Sequence, residues 1–179
     1  SAEWADEPML MDEAYRYNGS LDLATFMGWD KAKYRSMKLA FRQGGMKRTM
    51  PVLSGARLFA EALRQMGCEV WIATTRPYQR LDNIDPDTQE WMRRHGIHYD
   101  YMIYDEDKYR VLTERVDRAR IIGCLEDLPD KWDRAEELGL RPILRHTMYN
   151  SSVERSPSVR TCGEALHIIT GRLAEWKAS

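Results

Sequence analysis

The run Val70-Trp71-Ile72-Ala73, continuing into Thr74-Thr75-Arg76-Pro77, constrains this chain more than any other stretch. Four successive apolar residues, rich in β-branched and aromatic types, read as a strand buried on both faces. Strands of that kind belong to parallel sheets covered by helices. The two threonines and the proline then open its C-terminal end into a hydroxyl-lined loop. Ligands of open α/β sheets bind in the crevice beyond the carboxyl ends of the strands. Thr74 and Thr75 are therefore expected to face one ligand with their hydroxyls and backbone N–H groups.

The flanking pattern agrees with a parallel sheet. A helix is predicted over residues 56–66, stopped by Gly67, immediately before the strand at 69–73. Further helices are predicted over 87–94, 107–117, 129–138 and 162–176, and further strands over 99–104, 119–125 and 142–145. Residues 150–158 read as a polar loop. Strands alternating with helices of about ten residues predict an α/β fold, a three-layer Rossmann-like parallel sheet. Residues 9–48 carry only helical patterning, with Asn18-Gly19 as a turn, Ser20 or Asp22 as a cap and Gly44-Gly45 as a stop. This divides the chain into an N-terminal helical cap over 1–50 and an α/β core over 51–179.

Composition removes several function classes. The 179 residues are 43% hydrophobic and 31% charged, with a formal net charge of −1, which argues against a surface that coats nucleic acid. No apolar run approaches the ~20 residues of a membrane span, and no signal-peptide pattern begins the chain. Cys68, Cys124 and Cys162 have no metal-like spacing, and so sparse a set fits reduced thiols in a cytoplasmic setting. Cys68 and Cys124 lie beside or within predicted strands, where burial is expected. His95, His98, His146 and His167 form no metal-ligand pattern.

Three strand ends bring chemistry together. The first offers Thr74 and Thr75, and the second is followed by Asp105-Glu106-Asp107-Lys108, with Lys108 in the first turn of a helix. The third ends in Glu126-Asp127. A hydroxyl and an ammonium can hold phosphate oxygens, and carboxylates can hold Mg²⁺. Each group also has a plainer use. The threonine hydroxyls can satisfy nearby backbone, Lys108 can be an exposed helix lysine, and Glu126 and Asp127 can cap the helix at Pro129. Arg76 can bind an anion or solvate its loop, and Tyr149 and Asn150 read as turn residues.

The order of these groups resembles the haloacid dehalogenase superfamily of phosphohydrolases. Val70 to Thr74 is similar to its second motif, Lys108 to its third, and Ile121-Ile122-Gly123-Cys124-Leu125-Glu126-Asp127 to its fourth. The segment Leu125 to Pro129, then Gly139, then Arg145 to Asn150, looks more narrowly like the 5′(3′)-deoxyribonucleotidase-like branch. The resemblance covers about residues 50 to 150. It implies a Mg²⁺-dependent phosphatase in which Thr74 and Lys108 bind phosphate, while Asp127 and Glu126 hold the metal. Thr75, Arg76, Lys38 and Arg42 are the substrate-binding candidates.

One part of the family pattern has no counterpart. The first motif, a strand ending in Asp-x-Asp that carries the nucleophilic carboxylate, is missing. Asp6, Asp12 and Asp22 follow no buried apolar run. Without that strand the middle of the sheet is expected to hold a gap, with unpaired backbone groups on both neighbours. Either a partner segment or chain supplies the strand, or the chain is a catalytically inactive binding module on the same scaffold, or the resemblance misleads.

Charge is unevenly spread. Residues 31–48 hold Lys31, Lys33, Arg35, Lys38, Arg42, Lys47 and Arg48 and no acidic residue, with Tyr34 and Phe41 among them. Such a cap surface can attract a nucleotide or a nucleic-acid end by charge and stacking; it can equally be a solvated helix face. The expected partner is thus a phosphorylated small molecule or a nucleic-acid end, and a nucleic-acid-binding role through the basic cap stands as an alternative to catalysis.

Overall fold

The computed structural model describes residues 28–76 and 81–179. Helix α1 (Lys31–Gln43) begins at Asp30, whose Oδ1 accepts hydrogen bonds from the N–H groups of Ala32 and Lys33, both at 2.8 Å. That carboxylate satisfies two of the donors a helix start leaves unpaired. The caps expected at Ser20 or Asp22 lie outside the described residues, as do Pro77 and most of the expected cap region. After Gly44 a 3₁₀ turn, Met46–Arg48, leads to the core. Three polar contacts fix this region to helix α3 (Ile84–Arg94). Arg48 Nε pairs with the buried Asp87 at 3.0 Å, Asn83 donates to the Arg42 carbonyl at 2.7 Å, and Trp91 Nε1 donates to the Met50 carbonyl at 2.6 Å.

Helix α2 (Ala56–Gln65) stops at Gly67, where φ of +82° favours glycine. Strand β1 (Trp71–Thr74) follows. Helix α3 starts three residues before the expected Asp87, because Pro86 sits in its first turn, where a missing N–H is tolerated. Strand β2 (Tyr101–Tyr104) and helix α4 (Lys108–Arg115) come next. The strand expected over 119–125 is shorter. Asp117 accepts from the Ala119 N–H at 3.0 Å and bends Arg118–Arg120 into a 3₁₀ turn, so strand β3 is Cys124–Glu126. Helix α5 (Pro129–Glu137) places its proline in the first turn, and strand β4 (Pro142–Arg145) matches expectation. The expected loop over 150–158 ends in a short strand, β5 (Ser158–Val159), before helix α6 (Cys162–Ala178).

The chain is α/β, and among the described residues every strand pairing is parallel and the strands form two ladders. In the first, β1 pairs with β2, Trp71 opposite Tyr101 through Thr74 opposite Tyr104. In the second, β4 lies between β3 and β5, with Leu125 opposite Ile143 and Arg145 opposite Val159. Helices cover both faces. Tyr109 and Leu112 of α4 and Ala135 of α5 pack with Ile103, Cys124 and Leu140, and Trp71 and Ala73 join them. Ala165 and Ile169 of α6 and Phe59 and Leu63 of α2 pack with Ile143 and Val159 on the other side. The first cluster therefore spans both ladders, and the second packs α2 and α6 against the β3–β5 ladder.

Ile143 is fully buried at the centre of the second cluster. Ile143→Ala is expected to lower stability by about 2–5 kcal/mol, through lost transfer energy and the cavity left behind. Asp30→Ala should cost only about 1 kcal/mol by removing a cap. Urea unfolding midpoints measure both.

Candidate functional site

The carboxyl ends of β1, β2 and β3 lie together, and their loops supply the polar residues. Thr74 ends β1; its carbonyl accepts from the Asp105 N–H at 3.1 Å, and its Oγ1 accepts from the Arg76 N–H at 3.3 Å. The turn after β2 tightens through the Asp105 carboxylate, which accepts from the Asp107 N–H at 2.7 Å. That turn aims Lys108, at the start of α4, across to β3.

Lys108 and Glu126 form a buried ion pair, their side chains 9% and 2% exposed. Glu126 is fully engaged. Its Oε2 receives the Lys108 ammonium and the Tyr109 hydroxyl at 2.8 Å, and its Oε1 receives the N–H groups of Asp127 and Leu128, each at 3.0 Å. Burial works against its charge, but the Lys108 ammonium and these donors hold the carboxyl below its usual range. Asp127 behaves oppositely. Burial, a hydrogen bond with Glu126 and the repulsion of that neighbouring carboxylate push it up to about 6. Tyr149 donates its hydroxyl to Asp127 Oδ2. Asn150, fully buried, donates to the Asp127 carbonyl at 2.7 Å and the Arg145 carbonyl at 2.9 Å, while its own Oδ1 accepts from the Thr147 N–H at 2.7 Å. Tyr149 and Asn150 thus shape a turn, and that turn builds the back wall of the site.

Sequence reasoning placed Lys108, Glu126 and Asp127 in one cluster, and the structure brings these three together. It missed Tyr109, whose helical position beside Lys108 puts its hydroxyl on the same carboxylate. The Arg76 guanidinium turns inward, partly buried, and donates to the Thr88 hydroxyl at 2.6 Å. Arg76, Arg42 and Lys38 act on Lys47, which burial and then these cations lower to about 8. Lys38 and Arg42 are thereby joined to the β1 end, and Lys47 becomes a fourth member of the group. Glu126 and Asp127 do not cap α5 with their side chains; its start is Leu128. Cys124 is buried within the core and pushed up to about 12, so its thiol carries no nucleophilic character, whereas Cys68 is only half-buried.

Mg²⁺ takes about six oxygen ligands in near-octahedral geometry. Among the described residues, no group of three or more His, Cys, Asp or Glu is placed to hold a metal ion. The donors already on Glu126 occupy its oxygens, whereas the Asp127 carboxylate takes the Tyr149 hydroxyl on Oδ2.

Removing one member of a buried pair leaves the other charge uncompensated, so Lys108→Met or Glu126→Leu should each cost about 3–5 kcal/mol. The Lys108→Met/Glu126→Leu double variant should lose less than the worse single variant, as a double-mutant cycle in urea would measure. The raised pKa of Asp127 has its own signature. An unfolded aspartate loses its proton near about 4, so between about pH 4 and 6 the folded chain holds the extra proton. Stability at this residue then falls as pH rises through that window. Asp127→Asn should gain on the wild-type chain across it, read from unfolding midpoints at each pH. Comparison of the chain with family models, with curated proteins and with solved structures found no match.

Proposed function

We propose that this chain is the scaffold and phosphate grip of a Mg²⁺-dependent phosphohydrolase of the haloacid dehalogenase type, with a three-layer Rossmann-like core. In this reading it acts on a nucleotide or polynucleotide phosphate, and a segment outside this chain supplies the nucleophilic aspartate. The observation that carries it is the convergence of Lys108, Glu126 and Asp127 with the Thr74 strand end at one edge of parallel strands. Structural ion pairs also occur at strand ends, but this one is fixed where α/β folds bind ligands.

Lys108 is held by Glu126 with one fixed direction, so its ammonium would neutralise phosphate charge without reorganising. The Thr74 oxygen accepts from the Arg76 N–H, which leaves its own proton free to donate to a phosphate oxygen. Tyr109 stays protonated, since burial and Glu126 raise its hydroxyl well above the ordinary value, and it serves only to hold that carboxylate. A bound Mg²⁺ would supply charge neutralisation on the phosphate, with Asp127 as one ligand beside carboxylates of the incoming segment. The group formed by Lys38, Arg42, Lys47 and Arg76 would draw the remaining phosphates of a nucleotide.

Hydrolysis of p-nitrophenyl phosphate with Mg²⁺ by the chain completed with an Asp-x-Asp strand tests the reading. Lys108→Ala should lower kcat by about 10²–10³-fold, whereas Lys38→Ala and Arg42→Ala should raise KM for nucleotides and leave p-nitrophenyl phosphate unaffected. No turnover by the completed protein would reject it. Nucleotide affinity should also fall as pH rises through about 8, where Lys47 loses its proton. A second reading, nucleic-acid binding without catalysis, is favoured by that same cation cluster. It requires binding of a DNA end that weakens steeply with salt and survives Lys108→Ala.

A further inference from the structure

The 3₁₀ turn Met46–Arg48 packs against α1 and α3, and Lys47 at its middle is half-buried. Its Nζ lies 3.4 Å from the Met50 sulfur, a weak acceptor. Lys38 and Arg42 of α1 and Arg76 after β1 all act on this amine. Each of the three is held in place. Arg76 donates to the buried Thr88 hydroxyl at 2.6 Å, and Lys38 lies 5.2 Å from the centre of the Tyr34 ring. Asn83 ties the Arg42 carbonyl to α3 at 2.7 Å.

Among the described residues no carboxylate pairs with any of these four cations. The carboxylates of α3 are engaged elsewhere. Asp87 takes Arg48 at 3.0 Å and Asn83 at 2.7 Å, and Asp85 takes the Tyr104 hydroxyl and Gln89, each at 2.8 Å. Glu90 takes Arg93 and Arg94. Burial and then the three cations therefore lower Lys47 to about 8, whereas an ordinary lysine holds its proton to about pH 10. Only the unprotonated amine has a lone pair to share. A phosphate needs Lys47 charged. Carbon dioxide needs it neutral, is small and uncharged enough to reach a half-buried nitrogen, and becomes an anion only on bonding. Neighbouring cations then stabilise the product more than the reactants.

We propose that Lys47 is a carbon dioxide site, at which the ε-nitrogen is converted to a carbamate held by Arg76, Arg42 and Lys38. The nitrogen lone pair attacks the carbon and an N–C bond forms. One C–O π pair moves onto oxygen, and a proton of the nitrogen passes to water. Nothing is oxidised or reduced. The carbamate gives the cluster its own counter-charge. Where the same cations draw phosphate, as in the proposed function, the two ligands compete with opposite pH dependence, the carbamate gaining as pH rises through about 8. Carbamate formation depends on the cation cluster and not on the phosphatase reading.

The test exposes the whole chain to isotopically labelled carbon dioxide at fixed pressure. Carbamates are trapped as ethyl esters with triethyloxonium and mapped by mass spectrometry of peptides. At about pH 8, label on Lys47 should exceed that on the exposed Lys31 and Lys177 by about tenfold or more, because those lysines remain protonated. The Lys38→Gln/Arg42→Gln variant should lower the label on Lys47 by about fivefold or more. The Lys38→Arg/Arg42→Lys variant, which keeps both charges, should retain it, with urea midpoints showing that both chains fold. Label on Lys47 no higher than on Lys31 and Lys177, or unchanged in the glutamine variant, would overturn the proposal. Label on Lys47 that inorganic pyrophosphate fails to displace would count against the phosphate role of these cations and leave the carbamate assignment intact.

Discussion

The Lys108–Glu126 pair is the contact on which the arrangement of the two ladders depends. Lys108 belongs to the helix that follows β2, and Glu126 ends β3, so the pair bridges the ladders at their carboxyl ends. Backbone hydrogen bonds do not connect β1 to β3. In their place stand this ion pair, the Tyr109 hydroxyl on the same carboxylate, and the one apolar cluster that holds residues of both ladders. Two hydrogen bonds from the Arg134 guanidinium to Asp107, at 2.9 and 3.1 Å, add a more exposed link between α5 and the turn before Lys108. Buried pairs give little net stability against apolar substitutes. Here the pair sets a relative position, which an apolar contact would leave loose.

That position determines the chemistry available. Glu126 spends its lone pairs on four donors, one of them the Lys108 ammonium. Asp127, next in sequence, is left against a carboxylate in a partly buried place and keeps its proton to higher pH. Two adjacent acids thus have opposite tendencies, a pattern typical of sites rather than surfaces. Gly123 belongs to the same design. A Cβ there would approach the Arg172 guanidinium to 2.8 Å, and that guanidinium supports the chain by donating to the Arg141 carbonyl at 2.5 Å.

Much of the architecture was legible in the sequence, because period and stop signals are local. The apolar run at Val70, the Gly67 stop and Pro129 each predicted its element. Failures came where a single side chain overrode the pattern. Asp117 captured a backbone N–H and turned the start of an expected strand into a 3₁₀ turn, and Pro86 concealed a helix start. Strand β5 is two residues long, too short for any periodicity. In the site, Lys108, Glu126 and Asp127 were readable from their places at strand ends. Tyr109 and the inward turn of Arg76 were not, since side-chain direction depends on neighbours distant in sequence.

The cation cluster where α1 and its following turn meet the end of β1 has a consequence beyond the nearby contacts. The whole chain carries a formal charge of −1, yet residues 31–48 are basic throughout, so the remainder is net acidic. That local excess of positive charge stands beside the carboxyl edge of β1, where Lys38, Arg42 and Arg76 act on Lys47, so an anion and a neutral solute of equal size meet different potentials at this edge.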